Sequence, residues 1–168
     1  ALSSPRCPHM KNHISHPAHH LSLQVQIDED TLGIDALPVA RPQLRRWVQA
    51  ALRADAEIVL RFVGLEESQV LNHQYRGKNR PTNVLTFDYA HEPIVQADIV
   101  ICLPVLEREA AEQHKPLRNH LAHLVIHGVL HAHGMDHLTD EEAADMEAAE
   151  VALLKRFRIR DPYQLPEE

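Results

Sequence analysis

A chain of 168 residues with 44% hydrophobic and 24% charged residues can bury one ordinary core, which excludes a disordered polymer. Seventeen Lys plus Arg against 24 Asp plus Glu give a formal charge of −7, so no basic surface for duplex DNA is expected and any RNA contact must be local. Two cysteines, Cys7 and Cys102, are too few for a secreted disulfide scaffold, and no apolar run reaches the roughly 18 residues of a membrane span, so a soluble, cytoplasmic protein is expected.

Residues 1–20 carry five of the fourteen histidines (His9, His13, His16, His19, His20) among Pro and Ser without hydrophobic periodicity, and read as a flexible extension. The folded domain is placed at 21–163, with 164–168 as a tail. Leu21 to Ile27 alternates apolar and polar residues, the period of a strand with one face on a core. After the acidic turn Asp28 to Asp30, Arg41 to Ala54 has Pro42 near its start and Leu44, Trp47, Val48 and Ala51 at helical spacing. Glu57 to Val63 is β-branched and stops at Gly64, Glu66 to Tyr75 has the composition of a short helix, and Arg76 to Pro81 forms a basic loop. Asn83 to Tyr89 and Ala97 to Leu103 are two further strands, paired as a hairpin or lying apart in one sheet. Helices follow at about 104–113, 117–132 and 139–157, the last opened by Thr139 with Glu142 in a capping-box spacing. With no repeat and no internal linker, the expectation is one α+β domain: a mixed sheet of about four strands packed against helices, around a central buried metal-binding helix.

That central helix carries the chemistry. At about 100° per residue, His120, His123, His127 and His131 fall in a stripe roughly 80° wide, while Leu117, Leu121, Leu124, Val125, Ile126, Val129 and Leu130 cover most of the remaining circumference. A helix buried nearly all round must satisfy the nitrogens of its imidazoles, and one shared metal ion would satisfy several. His127 and His131 stand at i and i+4, so both rings can reach one ion. Gly134 can take the left-handed conformation that ends the helix and return His137 as a third ligand. Three imidazoles with a fourth position open are the donor set of a catalytic zinc.

His123 reads as a packing or supporting histidine rather than a ligand, and Asp136 either orients a neighbouring ring or forms the turn before the next helix. Gly128 stands where a His-Glu-x-x-His protease carries its general base, which argues against peptide hydrolysis. The acidic residues Asp140, Glu141, Glu142, Asp145, Glu147 and Glu150 read as the solvated face of the last helix.

The run His123-Leu-Val-Ile-His127-Gly-Val-Leu-His131-x-x-Gly134-x-Asp136-His137 closely resembles the signature of the bacterial YbeY family, metal-dependent endoribonucleases of ribosomal RNA maturation. A second block, Leu71-Asn72-x-x-Tyr75-Arg76 followed by Thr82-Asn83-Val84-Leu85-Thr86-Phe87, is similar to the same family, as are Asp98 to Ile101, Met146 to Glu150, and Pro162-Tyr163. Asn83 stands for the family's usual aspartate and Met135 for its common tyrosine. The resemblance implies an α+β fold around a central helix, one zinc ion on His127, His131 and His137, and an arginine essential to activity at Arg76. A guanidinium at Arg76 suits charge developing on a phosphodiester, and Lys78 and Arg80 extend the loop toward an RNA backbone.

The expected activity is zinc-dependent cleavage of single-stranded RNA, in 3′ end maturation of the small-subunit 16S ribosomal RNA and in ribosome quality control, with ribosomal proteins or the small subunit as partners. Metal-activated water or the RNA 2′-hydroxyl could be the nucleophile. The rival readings are a metal hydrolase of another substrate class and a ribosome assembly factor that does not cut.

Overall fold

The computed structural model describes residues 18–164. Leu21–Ile27 forms β1, and the chain then makes one short turn of helix, α1 (Glu29–Leu32), before the amphipathic α2 (Arg41–Ala51). Strand β2 (Ala56–Val63), helix α3 (Leu65–Arg76), strand β3 (Val84–Ala90) and strand β4 (Val95–Cys102) follow, and then α4 (Leu103–Glu112), α5 (Leu117–Ala132) and α6 (Asp140–Arg156). The four strands lie in the order β1-β2-β4-β3. β1, β2 and β4 are parallel, whereas β3 returns antiparallel to β4 and, among the described residues, forms a free edge of the sheet. Of the two arrangements open to the last two strands, the hairpin is the one formed.

Alternation along the strands divides the interior in two. Ile58, Leu60, Phe62, Ala97, Ile99 and Ile101 pack on one sheet face with Leu44, Trp47 and Val48 of α2 and the apolar flanks of α5. Val63, Leu85, Phe87, Val100 and Cys102 make a smaller cluster on the other face, under α3 and Val105. Full burial of side chains such as Trp47, Leu44 and Phe62, all at 0% exposure, is worth about 1.5–3 kcal/mol each. Cys102 is a buried free thiol, and Cys7 lies outside the described residues.

The central helix is where the histidine run placed it. Only His123, His127 and His131 of the stripe and the first three residues of the helix escape full burial, and Gly128 faces the sheet. A Cβ at position 128 would come within 2.8 Å of Ile99 Cγ2, too close for any side chain without displacement. The glycine at the place of a protease's glutamate is thus a packing contact that seats α5 on β4.

Two local expectations change. The acidic turn at 28–30 is drawn into α1, whose Leu32 amide donates to the Asp28 carbonyl. Helix α2 stops at Ala51 rather than Ala54, because Leu52 is extended and the Arg53 amide donates to His133 Nε2 at 3.2 Å instead of continuing the helix. The chain is already tied down before β1: the His20 amide donates to Asp55, its carbonyl accepts from Ala56, and Gln49 donates to the His19 carbonyl. His9, His13 and His16 lie outside the described residues. Among the described residues no helix is long and apolar enough to cross a membrane.

Candidate metal centre

The stripe on α5 is not uniform. His120 is buried at 4% exposure and donates from Nε2 to Glu109 of α4 at 3.0 Å. His123 donates from Nε2 to Glu150 of α6 at 2.8 Å. One turn on, His127 meets the same Glu150 oxygen with its other nitrogen, Nδ1, at 3.1 Å, and His131 Nδ1 donates to the Met135 carbonyl at 2.9 Å. A carboxylate or carbonyl only accepts, so the proton of His127 and of His131 sits on Nδ1 and the Nε2 lone pair is left for another partner.

His137 comes back toward this pair. Gly134, at φ +94°, lets the chain turn after the helix, and Met135 N donates to the Leu130 carbonyl to tighten the reversal. The ring centroids of His127 and His131 are 6.4 Å apart, those of His127 and His137 5.9 Å, and those of His131 and His137 6.4 Å. Rings sharing one ion at the ordinary Zn–N distance would have centroids roughly 5 Å apart. Among the described residues no three His, Cys, Asp or Glu side chains are yet positioned to hold a metal ion. The donor chemistry fits such an ion, while the spacing of the triangle is about an ångström too wide. His137, with its side chain 59% exposed on a loop, is the member with room to move.

Glu150 is the residue that charge counting misplaced. Instead of joining the solvated face of α6, it is buried at 0% exposure between His123, His127 and Tyr163, whose hydroxyl donates to it at 2.9 Å. Burial alone would raise its carboxyl, but the hydrogen bonds it accepts from His123 and His127 outweigh that and hold it well below the usual carboxylate range, at about 2. The signal was available in the sequence: Met146, Glu150 and Leu154 recur at four-residue spacing, and all three are buried. The other five acidic residues of that run are exposed. The cap on this helix forms as its Thr139 and Glu142 spacing indicates, with Thr139 Oγ1 accepting from the Glu142 amide.

The remaining candidates separate. Asp136 accepts the backbone amide of His137 at 2.7 Å, a turn-forming bond, and its oxygen lies 3.7 Å from the His137 ring, beyond hydrogen-bond range. His133 donates from Nδ1 to the Val129 carbonyl and accepts from Arg53 at Nε2, so both nitrogens are occupied away from the triangle. Arg76 ends α3 and Lys78 and Arg80 follow it; all three are exposed, and none bonds to a histidine of the stripe. Their loop is held from below: Ser68 Oγ donates to the Thr82 carbonyl and accepts its amide, and Asn72 donates to the Arg80 carbonyl. Gly77, at φ +70°, ends α3 and opens the loop. Ser68, Asn72, Glu109 and Tyr163 are supporting residues that spacing alone did not single out.

A family model described as Endoribonuclease YbeY matches residues 34–158. A protein of that name from Paracidovorax citrulli is 54% identical over 134 residues, covering 78% of this chain and 88% of the relative. Another from Herminiimonas arsenicoxydans is 54% identical over 151 residues, covering 85% and 95%. Among solved structures, TM1509 from Thermotoga maritima aligns with a TM-score of 0.51 over 84% of this chain and 99% of its own, at 24% identity, and supports the fold alone.

Proposed function

The chain belongs to the family of the endoribonuclease YbeY, and from that premise we propose that it is a zinc-dependent endoribonuclease that cuts single-stranded ribosomal RNA. The observation that carries the reading is the choice of nitrogen along α5: His127 and His131 spend Nδ1 on Glu150 and on the Met135 carbonyl, which leaves two Nε2 lone pairs next to His137. An acceptor behind each ligating imidazole is the usual support of a histidine-bound metal.

Nε2 of His127, Nε2 of His131 and a ring nitrogen of His137 would hold one zinc ion, with the loop-borne His137 closing the last ångström. When bound, the ion supplies Lewis acidity toward a phosphodiester oxygen and acidifies water. Glu150 keeps the His127 ring from turning and fixes its tautomer, a role His123 and Tyr163 reinforce by holding the carboxylate. Arg76 offers a planar fork of donors to the charge that develops on the reacting phosphate, and Lys78 and Arg80 bind neighbouring phosphates. The cellular task that fits is 3′ end maturation of 16S ribosomal RNA and ribosome quality control in the cytoplasm, with the small subunit and its proteins as partners.

The test is cleavage of an end-labelled single-stranded ribosomal RNA fragment by wild type and Arg76→Ala at matched zinc content. Wild type should cut, and the variant should be about 100- to 1,000-fold slower, the ordinary cost of losing one transition-state donor. Equal cutting by both, or none by either, overturns the reading. Product ends carrying a 2′,3′-cyclic phosphate would assign the attack to the RNA 2′-hydroxyl; 3′-hydroxyl ends would assign it to water.

A further inference from the structure

Tyr75 and Tyr89 stand out as exposed aromatic side chains, at 62% and 64% exposure, in a chain with only 4% aromatic residues. Tyr75 ends α3 next to Arg76. Its ring lies 4.2 Å from that of Phe87, centroid to centroid, with the planes 83° apart. Phe87 is itself buried at 8% exposure in the α3-side cluster. The perpendicular contact therefore anchors Tyr75 on a rigid strand, and the 62% exposure leaves much of the ring to solvent.

The charges around the two tyrosines differ. Beside Tyr75 stand Arg76, Lys78 and Arg80 on the loop that Ser68 and Asn72 hold in place, and among the described residues no carboxylate pairs with any of the three. Tyr89 instead donates its hydroxyl to Asp98 at 2.8 Å, in a shallow groove lined also by Glu57. Phosphate is drawn to the first tyrosine and repelled from the second.

We propose that Tyr75 is a stacking subsite for one base of a single-stranded RNA, whose flanking phosphates meet Arg76, Lys78 and Arg80 as the strand crosses the free edge of β3 toward the histidines. The route follows from the alternation of that edge strand. Leu85 and Phe87 face the α3 cluster, whereas Val84 packs with the core under α5. Near the far end of β3, Asp88 holds His91, whose ring lies beside the Gly134 turn. The loop that follows α3 and the triangle that follows α5 therefore flank one edge of the sheet, and a flexible strand rounding that edge serves both. A duplex hides its base faces and is too stiff for the turn, so the subsite also selects for single strands. This inference rests on the RNA-cleaving reading above.

The experiment measures binding of a short, fluorescein-labelled single-stranded RNA by anisotropy, using wild type, Tyr75→Leu and Tyr75→Phe. Leucine keeps an apolar contact on Phe87 but has no ring face, so Tyr75→Leu should bind about tenfold or more weakly, while Tyr75→Phe should stay near wild type. The dependence of binding on salt should be unchanged in both, because stacking releases no counterions. Wild type should also lose about tenfold when the RNA is replaced by an abasic ribose-phosphate strand, a comparison independent of any variant's folding. Equal binding of wild type and Tyr75→Leu, or of normal and abasic strands, overturns the subsite and leaves the RNA reading standing. Failure of folded wild type to bind any single-stranded RNA overturns both.

Discussion

The two halves of α5 carry the same side chain on the same stripe and use it in opposite ways. In the first half, His120 and His123 extend Nε2, the outer nitrogen, into the carboxylates of Glu109 and Glu150, and their Nδ1 atoms are buried without a partner. In the second half, His127 and His131 turn the inner nitrogen toward an acceptor and leave the outer one free. A buried imidazole stripe is thus two devices end to end: one ties α5 to α4 and α6, and the other presents lone pairs where the helix reaches the surface. The lesson is that burial of a histidine says little until the nitrogen that is spent has been identified.

The sharpest way to break this contrast is to delete one member from each half. His127→Ala should bring bound zinc from one per chain to near zero and reduce RNA cleavage by about 100-fold or more, measured by metal analysis and turnover. His120→Ala should keep its zinc and instead lose about 1–3 kcal/mol of stability in urea unfolding, because Glu109 is left with one partner fewer. Zinc loss in His120→Ala at intact fold would erase the distinction.

Glu150 touches both halves, so its removal should register in both. Glu150→Ala should cost about 3–5 kcal/mol of unfolding free energy, the usual penalty for stripping a buried ionic group from its partners. It should also weaken zinc binding about 10- to 100-fold in competition with a chelator. Tyr163→Phe, which leaves the carboxylate but removes the hydroxyl that donates to it, should lose only about 1 kcal/mol.

The smallest effect is a matter of pH. Burial lowers the pKa of His120, and the neighbouring His123 and Lys115 add to that, against an upward pull from its hydrogen bond and charge contact with Glu109. Folding therefore favours the neutral ring. Its contribution to stability is full above the unfolded value of about 6.5 and is lost as pH falls through the lower folded value. Resolved by NMR, the His120 ring resonance should titrate below that reference, and replacing the residue should flatten the fall in stability on the acid side.

Strand alternation and helical spacing made most elements legible, because a half-buried strand and a one-sided helix each leave a fixed period. The histidine stripe, Gly134 and the capped start of α6 were readable for the same reason. What the sequence concealed depends on contacts distant along the chain. Glu150 was grouped with its acidic neighbours because a tally of charges does not see that Met146 and Leu154 share its buried stripe. The division of labour between Nε2 and Nδ1 depends on where α4 and α6 lie, and the place of the Arg76 loop ahead of an edge strand depends on the β1-β2-β4-β3 order. Helix α2 ended early because an amide near its end found a histidine some eighty positions away, a partner no local pattern announces.

The contact between Gly128 and Ile99 also works as a depth stop. With only 2.8 Å available to a Cβ, even alanine would lift α5 off the sheet or push Ile99 aside. His127 and His131 would travel together, keeping their mutual spacing, whereas His137 hangs from a loop and need not follow. One methyl group at the far side of the helix would thus detune the triangle without touching any of its corners, so the spacing of the three imidazoles is machined from the back.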